Sequence, residues 1–194
     1  DTEGEGLILS CDQAKAYDLV SWPFMQKVLE TMGVPSDFVR LVQCCYAKNQ
    51  VRVKVNGHLG HAASPSNGVK QGCPAYMFLF VLAVDPLLRW LRHRCSAHVH
   101  INLAYADDFL FGLTNVPKDL GPILKALSML SEIANLKLNF KKCQIIICGG
   151  ARPALFRAVL ECMGHTFTAV KVVTWALYLG IPIGPEAHLN VWQD

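Results

Sequence analysis

Val99, Ile101, Leu103 and Tyr105 alternate with His98, His100, Asn102 and Ala104, and the run ends on adjacent aspartates, Asp107 and Asp108. Phe109 to Leu113 then leaves as a second apolar stretch. A period of two sends successive side chains to opposite faces of a strand, so this segment predicts two strands meeting at an acidic turn. A third strand, Leu7 to Leu9, runs into Cys11 and Asp12. A sheet with one apolar face needs a covering layer, and the rest of the chain must supply it.

Helical signals are spread between the strands. Ser21 stands as an N-cap before a helix over Trp22 to Met32, with Pro23 in its first turn and Gly33 beyond its end. Ser36 caps a second helix reaching about Tyr46. Val51, Val53 and Val55 alternate with Arg52 and Lys54, predicting a half-buried strand, and Asn56-Gly57 is a hairpin turn signal. Strand and loop are expected over 58–72, then helices over Pro74 to about Arg94 and Leu120 to Asn135. Gln144 to Cys148 reads as a strand, Pro153 to Met163 as a helix stopped by Gly164, and Val170 to Ile183 as a last extended region. The mixture of hairpins and helices predicts one α+β domain over residues 1–194, an antiparallel or mixed sheet packed by helices.

The chain is 52% hydrophobic and 17% charged. Free-standing soluble domains carry about 25% charge, so part of this surface is expected to be covered by neighbours in a larger protein, and the first residue, Asp1, agrees with a fragment. The net charge of +3 permits a nucleic-acid partner. The longest apolar run, Ala75 to Val84, is too short for a bilayer, so no membrane association is expected. Asp1 to Gly6 lacks the basic start of a signal peptide. The cysteines, Cys11, Cys44, Cys45, Cys73, Cys95, Cys143, Cys148 and Cys162, form no C-x-x-C pair, and the histidines supply no finger spacing. They read as reduced intracellular thiols, mostly core filler.

By pattern alone, Asp107-Asp108 reads as a solvated turn, because Asp bonds its own backbone and tolerates left-handed geometry. Asp12 adds a second reading. If the two strand systems are neighbours, three carboxylates meet at one end of the sheet, where their repulsion calls for cations. Hard divalent ions with oxygen ligands answer that need, and two of them about 4 Å apart serve phosphoryl transfer.

Five segments carry a family resemblance. Asp12-Gln13-Ala14-Lys15-Ala16-Tyr17-Asp18 resembles the first catalytic motif of reverse transcriptases of the non-LTR (LINE-type) retrotransposons. Gly68-Val69-Lys70-Gln71-Gly72-Cys73-Pro74 is similar to their second palm motif, and Tyr105-Ala106-Asp107-Asp108 to the tyrosine-x-aspartate-aspartate box. Leu138-Asn139 with Lys142 resembles the next motif, and Tyr178-Leu179-Gly180-Ile181-Pro182 the primer-grip segment. The order and spacing of all five make the resemblance specific.

The resemblance implies a polymerase palm without fingers or thumb, running from the first catalytic motif to the primer grip. It implies RNA-directed DNA synthesis by two-metal nucleotidyl transfer from a dNTP to a primer 3′-OH on an RNA template, within a retrotransposon polyprotein. Asp12, Asp107 and Asp108 would be the catalytic metal carboxylates, holding two Mg2+ ions with Mn2+ as a substitute. Tyr17, Gln71, Gly72 and Lys142 would meet the incoming nucleotide, and Tyr178, Leu179 and Gly180 would grip the primer. The implied partners are the RNA template, the DNA primer, dNTPs, and the fingers, thumb and endonuclease domains of the polyprotein. The implied location is the nucleus or a cytoplasmic ribonucleoprotein. An alternative is a catalytically inactive remnant with the palm fold, or an intron- or retron-type enzyme. Each role has a plainer rival: Tyr17 as core, Lys141 and Lys142 as a solvated face, Arg89, Arg92 and Arg94 as complements to a helix C-terminus. One departure stands out, Ala75-Tyr76-Met77 where the family has Leu-Ser-Pro, and it points to an altered nucleotide pocket.

Overall fold

The computed structural model describes residues 6–94, 99–114, 116–149, 153–162 and 167–189. Strand β1 (Gly6–Asp12) leads into a single helical turn, α1 (Ala16–Leu19), followed by α2 (Trp22–Thr31) and α3 (Ser36–Ala47). Strands β2 (Val51–Val55) and β3 (His58–Ala63) form a hairpin, and α4 (Tyr76–Arg94) follows. Then come β4 (Val99–Tyr105), β5 (Asp108–Leu113), α5 (Val116–Ala134), β6 (Gln144–Cys148) and α6 (Pro153–Cys162). Three short strands close the order: β7 (Lys171–Val173), β8 (Ala176–Tyr178) and β9 (Ile181–Ile183).

Among the described residues the principal sheet has five strands in the order β4-β5-β1-β6-β7, so β1 is its centre. The pairings around β1 are antiparallel and β6–β7 is parallel, which makes the sheet mixed. Along β1, Leu7, Leu9 and Cys11 are buried while Ile8, Ser10 and Asp12 are only half-buried. The first set faces the core with Phe80, Phe109, Phe111, Ile123 and Ile145. Helices α2, α4 and α5 pack on one another over this face. The architecture is α+β, a mixed sheet packed by helices, as the hairpins and helices predict.

The end of α2 is legible in its residues. Ser21 accepts from the Phe24 N–H at 3.4 Å, and Gly33, at φ 75°, ends the helix with Val34 N–H bonding back to the Leu29 carbonyl at 3.0 Å. Several expectations change. Ser36 is the first helical residue of α3; the cap position belongs to Pro35, with no side-chain cap bond. Helix α4 begins at Tyr76 rather than Pro74, and α5 begins at Val116 rather than Leu120, carrying Pro122 inside it. Its early Gly121 and Pro122 disguise the first turns. Val51 to Val55 is exposed at every position, not half-buried, because β2 and β3 pair only with each other. Cys11 and Cys143 are buried but Cys44 and Cys45 are exposed, so core filling accounts for only some of the cysteines. The expected helix end at Met163 and stop at Gly164 lie outside the described residues, as does His98. No helix among the described residues is long and apolar enough to cross a membrane.

Tyr46 fixes α3 against the rest of the core. It is 5% exposed, and its ring centre lies 5.7 Å from that of Trp22 on α2. Burial, with the neighbouring Cys73 thiol, pushes its hydroxyl from 10.0 up to about 12. The unfolded chain releases this proton near 10 and the folded chain only near 12, so the stability held by the neutral hydroxyl is intact below pH 10 and is lost as pH rises toward 12. In denaturant titrations, Tyr46→Phe should therefore lose less stability than the natural chain between pH 10 and pH 12. Equal losses in the two proteins would remove Tyr46 as the cause.

Candidate active site

The antiparallel register between β1 and β5 sets Asp12 directly opposite Asp108. Asp108 is also opposite Tyr105 across the β4–β5 hairpin, whose two-residue turn is Ala106-Asp107. Ala106 takes φ 57°, the positive value that tight hairpin turns require at their first central position. Asp12, Asp107 and Asp108 thus share one end of the sheet. Asp108 is held above the usual carboxylate range, first by burial and then by the charges of Asp107 and Asp12, with Lys142 opposing. Among the described residues, no three His, Cys, Asp or Glu side chains close into a group that could hold a metal ion. The three carboxylates are neighbours without forming a finished cage, as expected where like charges repel and one of them is drawn to a cation.

That cation is Lys142, whose Nζ lies 3.3 Å from Asp12 Oδ2. Its place follows from the turn before β6. Asn139 N–H donates to the Asp12 carbonyl at 2.9 Å, and Lys142 N–H donates back to the Asn139 carbonyl at 2.9 Å. The backbone pins the Leu138-to-Lys142 segment to the end of β1, and an isolated bridge joins Gln13 to Leu138. Lys142 is 69% exposed, so the ion pair itself is worth little. Lys141 is exposed.

Tyr17 leaves α1 and points across the same end. Its ring centre lies 4.5 Å from Phe80 and 5.5 Å from Tyr76, in an edge arrangement with the latter. Its hydroxyl donates to Met77 Sδ at 3.2 Å. Desolvation first, and then the charge of Asp107, raises its proton affinity. The unusual Tyr76 and Met77 are therefore the direct neighbours of Tyr17, a relation with no local sequence signal.

The Gly68-to-Pro74 loop is clamped beside α1. Val69 N–H donates to the Tyr17 carbonyl, Gly68 N–H to the Val20 carbonyl, and Trp22 Nε1–H to the Gly68 carbonyl at 2.6 Å. Gly68 (φ 86°) leaves no room for a side chain, because an added Cβ would overlap the Asp18 backbone. Gly72 (φ 87°) faces open space. Gln71 is exposed beside it and lines a cleft of about 400 Å³ with Asp18, Asn49, Asn67 and Lys70.

Tyr178 ends β8, and Leu179 and Gly180 form the β8–β9 turn, with Leu179 at φ 51° and Gly180 at φ 81°. Gly184 (φ 118°) seats this hairpin, since a Cβ there would press on Trp175 and on Ile146 of β6. Tyr178 lies close enough for Asp108 to raise its proton affinity, after the larger effect of burial, and its buried hydroxyl has no hydrogen-bond partner. The sequence reading missed Gln13, 3% exposed with neither amide atom bonded, and Asn135, whose side chain donates to the Leu19 carbonyl at 3.0 Å. Asn135 had a signal, since Asn after a helix commonly takes positive φ, here 59°.

This arrangement of strand ends, acidic turn and clamped glycine loop belongs to a known class. Residues 1–183 match the reverse transcriptase (RNA-dependent DNA polymerase) family, and the chain is a member of it. Among curated proteins it is 28% identical over 187 residues to the transposon TX1 uncharacterized 149 kDa protein of Xenopus laevis, covering 93% of this chain and 14% of that one. It is 37% identical over 142 residues to the retrovirus-related Pol polyprotein from type-2 retrotransposable element R2DM of Drosophila melanogaster, covering 70% of this chain and 13% of that one. Among solved structures, apo telomerase from Candida tropicalis, truncated from its C-terminal domain, superposes with a TM-score of 0.65 at 13% identity, covering 93% of this chain and 34% of that one. Telomerase from Candida albicans with a fragment of telomeric RNA gives 0.61 at 15% identity, covering 94% and 31%. These likenesses to solved structures establish a shared fold.

The two loop glycines should respond differently to substitution. Gly72→Ala adds only left-handed strain, about 1–2 kcal/mol. Gly68→Ala adds a backbone collision to that strain and should cost more than about 3 kcal/mol. Chemical denaturation of the two variants checks the order, and equal losses would show that the Gly68 clamp yields.

Proposed function

We propose that this chain is the palm of an RNA-directed DNA polymerase within a non-LTR retrotransposon polyprotein. The observation that carries the reading is the in-register pairing of Asp12 with Asp108, with Asp107 at the adjoining turn. The reaction is attack of a primer 3′-hydroxyl on the α-phosphate of a deoxynucleoside triphosphate, with pyrophosphate leaving. The donor set suits a hard divalent cation in kind: it is all oxygen, and Asp108, raised first by burial, is raised further by the charges of Asp107 and Asp12 beside it. Asp12, Asp107 and Asp108 would hold magnesium or manganese. Two such ions, when bound, supply charge neutralisation at the transferring phosphate and a more reactive primer hydroxyl.

The remaining residues position the substrates. Tyr17 is the floor under the incoming sugar, where its bulk leaves no room for a 2′-hydroxyl. Gln71 and Gly72 border the nucleotide, the glycine by allowing the backbone to approach. Lys142, already beside Asp12, turns its ammonium toward the triphosphate. The Tyr178-to-Gly180 turn braces the primer end over the sheet. Holding the hydroxyl and the phosphate in attack geometry is the main contribution such a scaffold makes. The template is RNA, and the polyprotein supplies fingers, thumb and endonuclease domains. The curated relatives support this arrangement, because the chain spans under a quarter of the length of each. The enzyme acts inside the cell, in the nucleus or in a cytoplasmic ribonucleoprotein.

The crowding of Tyr17 by Tyr76 and Met77 favours a second reading, an inactive remnant, and one assay separates the two. In primer extension on an RNA template by the full polyprotein, Asp107→Asn should lower the rate at least about a hundredfold. Absence of extension by the natural protein would favour the remnant. In the same assay, Tyr17→Val should admit ribonucleotides about tenfold or more better relative to deoxynucleotides. Unchanged discrimination would remove Tyr17 from the sugar floor.

A further inference from the structure

The β2–β3 ribbon is exposed along its whole length. Its strands pair with each other, and neither packs extensively on any other element among the described residues. A lone two-stranded hairpin is marginal in water, so a partner surface is expected. The register shifts by one residue between the Arg52–Ala62 and Lys54–Leu59 pairs, with the extra residue on β3, so β2 itself keeps the alternation that puts Arg52 and Lys54 on one face and Val51, Val53 and Val55 on the other.

Charge identifies the partner. No Asp or Glu occurs between Asp37 and Asp85, while Arg40, Lys48, Arg52, Lys54 and Lys70 all fall in that interval. The ribbon and the loop beyond it therefore present positive charge with no carboxylate of their own. The base of the ribbon, Asn49 and Val51, forms one wall of the 400 Å³ cleft whose other walls include Asn67, Lys70 and Gln71, with Asp18 as its one carboxylate. Side-chain amides offer donors and acceptors to base edges, and the cationic ribbon offers contacts to phosphates. The cleft opens beside the clamped loop that leads to Tyr17.

We infer that the Arg52–Lys54 face of the β2–β3 ribbon, with the adjoining cleft, binds the phosphate backbone of the single-stranded RNA template ahead of the active site. This inference rests on the proposed polymerase reading and adds to it a ribbon outside the five motifs, beside a cleft that residues of the first two motifs line. Affinity of this kind comes from counterion release, at about 0.7 of a charge per phosphate on a single strand. Two contacts are then worth about 1.4 in the slope of log K against log salt, or roughly 25-fold in affinity between 1 M and 0.1 M salt.

The test is fluorescence anisotropy of a labelled single-stranded RNA of about a dozen nucleotides with the purified chain, in magnesium-free buffer across a salt series. Arg52→Gln with Lys54→Gln should flatten the slope by about 1.4 and weaken binding roughly 25-fold at about 0.1 M salt. Lys125→Gln with Arg157→Gln, both exposed on α5 and α6, removes the same charge elsewhere and should leave the slope nearly unchanged. Far-UV circular dichroism confirms that each variant folds. Equal slopes for the two double variants would overturn the inference. So would a Val53→Ser, Val55→Ser variant that dissociates a dimer in sedimentation while the Arg52 and Lys54 changes leave RNA affinity intact, because the ribbon would then be a contact between copies. Primer extension by the polyprotein keeps the two claims apart. Extension that needs Asp107 but RNA affinity indifferent to Arg52 and Lys54 would keep the polymerase reading and reject the ribbon; the reverse result would do the opposite.

Discussion

The ladder between β1 and β5 sets everything else in place. Because the pairing is antiparallel and in register from Leu7 opposite Leu113 to Asp12 opposite Asp108, the apolar faces of both strands meet the helices while both aspartates reach one end of the sheet. A slip of one residue would turn Leu7, Leu9 and Cys11 away from the core and carry Asp12 to the wrong face. Core burial therefore pins the register, and the register pins the carboxylates. The meeting of the aspartates at the end of the sheet depends on a hydrophobic pattern that runs along its middle.

Unbalanced negative charge is the cost of that arrangement. Burial first, and then the neighbouring carboxylates, raise the proton affinity of Asp108, Tyr17 and Tyr178. Lys142 offsets part of it from the turn before β6, which is hydrogen-bonded to Asp12 through the backbone. Around this centre the clamped Gly68 loop and the Gly184-seated hairpin bring two further segments to the same place, each by a close approach that a side chain would block. These contacts join parts of the chain far apart in sequence, so the site is a product of the whole sheet and its supports.

Much of this was readable beforehand. The alternation from Val99 to Tyr105, the apolar run before Asp12, the Ser21 cap and Gly33 stop are local signals, and local physics decided them. Helix starts were read less well: Ser36 looked like a cap but lies inside α3, and Gly121 and Pro122 hid the first turns of α5. The β2 strand was read as half-buried because its valines alternate with Arg52 and Lys54, yet both of its faces are exposed. Alternation reports that two faces differ; it does not report what covers them.

Residue type and spacing alone determined that this chain builds an antiparallel or mixed sheet with helices over it, and that Asp12, Asp107 and Asp108 stand at strand ends, because strand period and turn chemistry act over a few residues. Only the tertiary structure decided that those ends adjoin, that Lys142 reaches Asp12, that Tyr76 and Met77 crowd Tyr17, and that Trp22 holds Gly68. Each of these is a contact between residues separated by tens of positions, and such contacts are selected by packing of the whole core rather than by any local preference.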